Sequence, residues 1–154
     1  MQLTCCIEIN AAPDTVFRVL TDMDNYSVWN PWLIKAQGDC RVGGDVVVHA
    51  KVGGRIGCYH HHILTVDAPH TFHWCDKGWF TLFAKGDRLR TLTPTASGTE
   101  FTVVLTVQGV LSFIANALFA KGLEHGLIAE THALKAYAEQ CEDSSRAQNG
   151  GLIE

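Results

Sequence analysis

The sequence predicts an α+β fold: a curved antiparallel β-sheet of about seven strands gripping a long C-terminal helix, with two short helices between strands 1 and 2. Three observations carry this expectation. Val110 to Cys141 contains no proline and is dominated by Leu, Ala, Glu and Lys, which are good helix formers. In it Phe119, Leu123, Leu127, Leu134 and Ala138 recur at spacings of four and seven, so they form one apolar stripe. Upstream, alternating segments follow one another, separated by Gly- and Pro-containing turns, as in an antiparallel meander. Near the N-terminus, Asn10-Ala11-Ala12-Pro13 breaks a first strand, and Pro13 opens a helix where its missing N–H costs nothing.

In order, Leu3 to Ile9 alternates as a strand. The helix from Pro13 has Asp14 in its first turn, favourable against the macrodipole, and Val16, Phe17, Val19 and Leu20 as its apolar face. Asp24 to Trp32 reads as a second short helix stopped by Pro31. Leu33 to Asp39 is a strand. Asp45 to Val52 and Arg55 to Asp67 are strands joined by the two-residue turn Gly53-Gly54. His70 to Asp76 returns after Ala68-Pro69, and Lys77-Gly78 turns again. Trp79 to Thr93 is expected as one long strand, and Glu100 to Gln108 as the last. The polar tail 142–154 is expected to be disordered, leaving one domain over residues 1–141.

A chain of 154 residues with 47% hydrophobic residues can bury one core. A formal charge of −4 without a basic stripe predicts no nucleic-acid partner. No apolar run is long enough for a membrane span, which takes roughly 18 residues or more. The first residues lack a charged n-region and an apolar h-region, so no signal peptide is expected. The six cysteines match no zinc spacing and are expected as free thiols in the cytoplasm. No P-loop, no GxGxxG after a strand and no internal repeat occur, and no cofactor is expected.

Several scaffold motifs then carry a resemblance. They are Ile9-Asn-Ala-Ala-Pro-Asp-Thr-Val-Phe17, Tyr26-Ser-Val-Trp29-Asn30-Pro31 and Thr65-Val-Asp-Ala-Pro69. Gly98-Thr99, and Leu134-Lys135 with Ala138-Glu139, complete the set. In this order and spacing, residues 2–141 resemble the START-like helix-grip superfamily of polyketide cyclase/dehydrase-type, lipid-transfer and birch-pollen-allergen-type proteins. The resemblance implies an apolar cavity between the sheet and the long helix. The motifs are scaffold and say little about chemistry.

Histidines are the conspicuous polar feature. Gly53-Gly54 pairs Val52 with Arg55, which sets Val48 opposite Tyr59 and Val46 opposite His61. Tyr59, His61 and Ile63 then face inward, and His60 and His62 face outward with Val47 and His49; a bulge would invert this. Adjacent strand residues alternate sides, so His60, His61 and His62 cannot serve one metal, and no metal site is expected. His61 admits two readings, a core histidine bonded to backbone or a general base or ligand anchor. Arg88 and Arg90 share a strand face and are expected outward; turned inward they would anchor a carboxylate. Glu124, His125, Glu130 and His132 on the long helix are expected in solvent. Ser27 and Ser112 have no partner base.

Gly122 and Gly126, one turn apart, each cost about 1 kcal/mol of helix propensity relative to Ala. Either the helix packs closely on the sheet there, or room is left beside it. Trp29 and Trp32 either close the end of the core or line a pocket. The expected function is binding of an apolar or aromatic small molecule, lipid- or polyketide-like. The expected lining is Trp29, Trp32, Val48, Tyr59, Trp74, Phe101, Val103, Phe119, Leu123 and Leu127, with His61 as a polar anchor. Two alternatives stand beside it: a cyclase- or dehydratase-type enzyme using His61 and Tyr59, and a non-catalytic interaction domain with an exposed apolar patch. Whether the chain is an enzyme, and its oligomeric state, are left open.

Overall fold

The computed structural model describes residues 1–52 and 55–150, without the side chains of residues 52, 55, 80, 112–119, 149 and 150. The Gly53-Gly54 turn, the Phe119 side chain and residues 151–154 therefore lie outside the described residues.

Seven strands form one antiparallel sheet: β1 (Gln2–Ile9), β2 (Leu33–Gly38), β3 (Asp45–Val52), β4 (Arg55–Asp67), β5 (Thr71–Lys77), β6 (Lys85–Pro94) and β7 (Thr99–Gln108). Their spatial order is β1-β7-β6-β5-β4-β3-β2. All connections from β2 to β7 are therefore between neighbours, and β1 pairs on the far side of β7. Between β1 and β2 lie α1 (Pro13–Thr21), a 3-10 turn (Met23–Asn25) and α2 (Tyr26–Trp29). The last element is α3 (Ser112–Gly150). This is the expected α+β grip.

Period-two alternation decides which face α3 meets. Leu105, Val103 and Phe101 of β7, Leu92 of β6, Phe72 and Trp74 of β5, Ile63 of β4 and Val46, Val48 and Ala50 of β3 are all buried. From α3, Leu127, Leu134 and Ala138 complete this core, and α1 adds Val16, Val19 and Leu20. The helix is also pinned by polar contacts: Lys135 Nζ donates to Glu8 O at 2.7 Å, and Asn10 N donates to Glu139 Oε1 at 2.8 Å.

Two boundaries depart from expectation. Trp79 to Thr93 is not one strand: Trp79–Leu82 is a 3-10 turn, and β6 begins at Lys85. The Thr81 hydroxyl donates to Gly78 O at 2.6 Å, and this local bond closes the turn instead of a ladder. The second is the end of α3, which runs past Cys141 to Gly150. Thr15 Oγ1 donates to Glu142 Oε2 at 2.6 Å, tying the extension to α1. Ser144 and Ser145 turn their hydroxyls back onto the carbonyls four residues earlier, and Arg146 approaches Glu142 within 3.4 Å.

Candidate functional site

The β3–β4 register is the one the turn predicts, with Val46 opposite His61 and Val48 opposite Tyr59. A bulge does occur in β4, but between Ile63 and Thr65 on the β5 side, so it leaves His61 facing inward. The His61 ring stacks on Trp74, with centroids 4.9 Å apart and planes 7° from parallel. Its Nδ1 stands 3.0 Å from Asp76 Oδ1, without the alignment of a hydrogen bond. Asp76 Oδ2 accepts from Gly86 N at 2.7 Å. Burial holds the imidazole below its ordinary pKa; Asp76 pulls the other way, and Arg88 and Arg90 push it lower still.

Arg88 and Arg90 are turned inward, contrary to the expectation of surface charges. Arg88 lies opposite Trp74 and Arg90 opposite Phe72, which puts both guanidiniums on the face that α3 covers. Arg90 is 1% exposed, and its guanidinium carbon lies 4.2 Å from the Trp74 ring centroid and 5.5 Å from that of Phe72. Arg88 lies 4.9 Å from the Trp32 centroid. Such contacts are worth about 0.5–2 kcal/mol each, the larger figure when desolvated.

The counter-ion comes from α3. Glu130, also expected in solvent, is 5% exposed and accepts from Arg88 Nη1 at 2.9 Å and from Arg90 Nη2 at 3.4 Å. Glu124, His125 and His132 do face solvent. The burial was legible in two places. Arg88 and Arg90 share the parity of Leu92, which had to face the core, and Glu130 sits three residues after Leu127 and four before Leu134. Beside this cluster Tyr26 is fully buried, and its hydroxyl donates to Leu20 O at 2.8 Å. Burial lifts its pKa well above the ordinary phenol value, with Arg90 opposing.

Of the expected lining, Trp29, Trp32, Val48, Trp74, Phe101, Val103 and Leu127 are buried, and Tyr59 and Leu123 are half-buried. Trp32 and Trp74 meet the arginines; Val48, Phe101 and Val103 belong to the general core. Tyr59 shares the inner face with His61, but its phenol end lies over Gly57, two residues back along β4. A Cβ on Gly126 would come within 2.9 Å of the Trp32 indole, so this glycine exists for close packing. At Gly122 a Cβ would meet nothing within 4 Å. The two glycines thus answer to different causes.

Trp29 contributes to a cleft of about 80 Å³, lined by Arg18, Val19, Asp22, Asn25, Tyr137 and Cys141 at the other end of the grip. On the convex face, His62 pairs with Asp45 at 2.8 Å and His73 with Asp87 at 2.7 Å. Among the described residues no three His, Cys, Asp or Glu side chains converge as a metal site. Trp79 is 78% exposed and Leu82 75%, on a loop whose Phe83 carbonyl accepts from Leu111 N at 3.0 Å. No helix among the described residues is long and apolar enough to cross a membrane.

The fold and its buried polar floor define a helix-grip protein. Over residues 2–139 the chain matches the family described as polyketide cyclase / dehydrase and lipid transport, and it belongs to that family. Among solved structures, the Zhui aromatase/cyclase from Streptomyces sp. R1128 is similar with a TM-score of 0.76 at 15% identity, over 91% of this chain and 94% of that one. A START superfamily protein from Mycobacterium smegmatis gives 0.70 at 16%, over 91% and 98%. A protein from Nitrosomonas europaea gives 0.72 at 19%, over 91% and 95%. At these identities the likeness is one of fold. No curated protein matches the sequence.

Proposed function

We propose that the chain binds an apolar or aromatic small molecule, lipid- or polyketide-like, between the concave face of the sheet and α3. The observation that carries this reading is the aromatic floor of Trp32, Trp74 and His61 beneath the glycine-containing part of α3. Gly126 brings α3 close against the Trp32 indole, so that ring lies directly under the helix. Family membership supports the same reading. The ligand would lie against Trp32, Trp74 and Leu127, with Tyr59 and Leu123 toward the rim and His61 as a polar contact. The free thiols of all six cysteines support a reducing, cytoplasmic setting.

Native mass spectrometry of the purified protein, set against its denatured mass, tests this. A co-purifying adduct of small-molecule mass that titrates with added lipid or aromatic ligand is the expected result. Failure to take up any member of a broad lipid and aromatic panel would refute it.

A second reading, a cyclase- or dehydratase-type enzyme, is favoured by the His61–Asp76 proximity. A neutral imidazole held beside a carboxylate can take a proton from a ligand, and Asp76 would stabilise the resulting imidazolium. The aromatase/cyclase among the structural neighbours supports it by fold alone. His61→Gln would then keep ligand binding and lose turnover; unchanged turnover on an identified substrate would remove this reading.

A further inference from the structure

The ion cluster beneath α3 is unbalanced. Arg88 and Arg90 bring two positive charges, and Glu130 brings one negative charge. Asp76, the nearest carboxylate along β5, makes no ion pair with either arginine among the described residues; it accepts from Gly86 N and lies beside His61. Tyr26, which also faces Arg90, keeps its proton and spends it on Leu20 O. The cluster also has spare donors: Arg88 Nε and Arg90 Nη1 are buried and have no hydrogen-bond partner.

Both facts are costly in a purely structural ion pair. Buried polar groups are almost always satisfied, and a buried charge without a partner is among the dearest defects a fold can carry. One missing group would cure both. It must be an acceptor, because guanidinium only donates, and it must carry one negative charge. A carboxylate meets both conditions, with two oxygens for two donors. A hydroxyl leaves the charge uncompensated, and a phosphate dianion overshoots it. The walls beside the donors are Trp32, Trp74 and Phe72, so the remainder of the ligand must be apolar.

We infer that Arg88 and Arg90 are the seat for the carboxylate of an amphiphilic monocarboxylic acid, with its hydrocarbon or aryl body lying along Trp32 and Trp74. This rests on the small-molecule reading above and names the ligand class for that site. Glu130 then has a defined role. It holds the two guanidiniums in place and lowers their net charge to the one unit that a single carboxylate neutralises.

The test is isothermal titration calorimetry of the full chain with matched acid and alcohol pairs: dodecanoate against dodecan-1-ol, and 2-naphthoate against 2-naphthylmethanol. The acid is expected to bind tighter than its alcohol by roughly tenfold or more in at least one pair, the value of a charge-assisted hydrogen bond. Arg88→Gln, at the less buried of the two positions, should erase the preference, the acid losing at least roughly tenfold more affinity than its matched alcohol. Equal affinities for acid and alcohol in the parent chain would overturn the seat and leave the small-molecule reading standing. Binding of no member of either pair would overturn both. The comparison within the parent chain decides the matter even if a variant fails to fold.

Discussion

Arg88 reaches across from the sheet to Glu130 on α3, donating from Nη1 at 2.9 Å within the buried interior. The same carboxylate serves Arg90. Removing Glu130 therefore leaves two guanidiniums with a deficit that water cannot repair. Glu130→Ala is expected to lower stability by roughly 3–5 kcal/mol in urea unfolding, the cost of leaving buried charge unpaired. Arg41 pairs with Asp39 at 2.7 Å, a shorter contact, but both side chains are more than half exposed. Arg41→Ala should change stability by no more than about 0.5 kcal/mol. Comparable losses for the two variants would refute this account, because distance and not burial would then govern.

The two helix glycines make a sharper pair. Gly122→Ala meets no neighbour, so only helix propensity and chain entropy act; a gain of up to about 1 kcal/mol is expected. Gly126→Ala drives a methyl to 2.9 Å from the Trp32 ring, which is wedged in turn against Arg88. A loss of roughly 1–3 kcal/mol is expected from overpacking, together with a shift in tryptophan emission. If both substitutions moved the thermal midpoint in the same direction, the assignment of Trp32 to Gly126 would be wrong.

How far the sequence could be read follows from these residues. The grip fold was legible because it rests on periodicities: period two in the strands, an apolar stripe in α3, and turn signals between them. His61 was placed inward because a two-residue turn sets the register, and the β4 bulge falls beyond it. The arginines were misplaced for a different reason. Charged side chains are rarely buried, and that prior outweighed the parity Arg88 and Arg90 share with Leu92. Each of Arg88, Arg90 and Glu130 is improbable in a core alone. They become probable only together, and the partner lies about forty residues away, where no local pattern joins them. The extension of α3 was missed similarly, because its support comes from Thr15 at the other end of the chain.

Burial of His61 has a consequence for acid stability. The folded protein holds its imidazole below the ordinary value of 6.5 that the unfolded chain has, chiefly through desolvation. The unfolded state therefore binds the proton first as pH falls. This contribution to stability is complete above that unfolded value, and is lost as pH drops from about 6.5 through the folded value. Carboxylates lose stability on the acid side too, so the readout is the difference between the parent and His61→Gln. The parent is expected to lose thermal stability more steeply with falling pH below the ordinary histidine value. Parallel curves for the two proteins would show that the imidazole is not shielded from solvent.

The hydrogen bond from Thr15 to Glu142 decides whether the end of α3 belongs to the folded unit. It spans more than a hundred residues and joins two helices, so it can form only when α3 is helical past Cys141 and docked on α1. A partly buried bond to a charged acceptor is worth about 1 kcal/mol or somewhat more. Glu142→Ala and Thr15→Val should each cost about that much, and the double variant should cost less than their sum, since one interaction is lost twice over. Ending the chain after Cys141 removes this bond and the turns that follow it, and should cost at least as much as Glu142→Ala. Ending it after Gln148 removes neither and should leave unfolding unchanged. Additive single variants, or a chain ending at Cys141 that is as stable as the parent, would mean that residues 142–148 do not stabilise the grip, and that the folded unit ends where the apolar stripe of α3 ends.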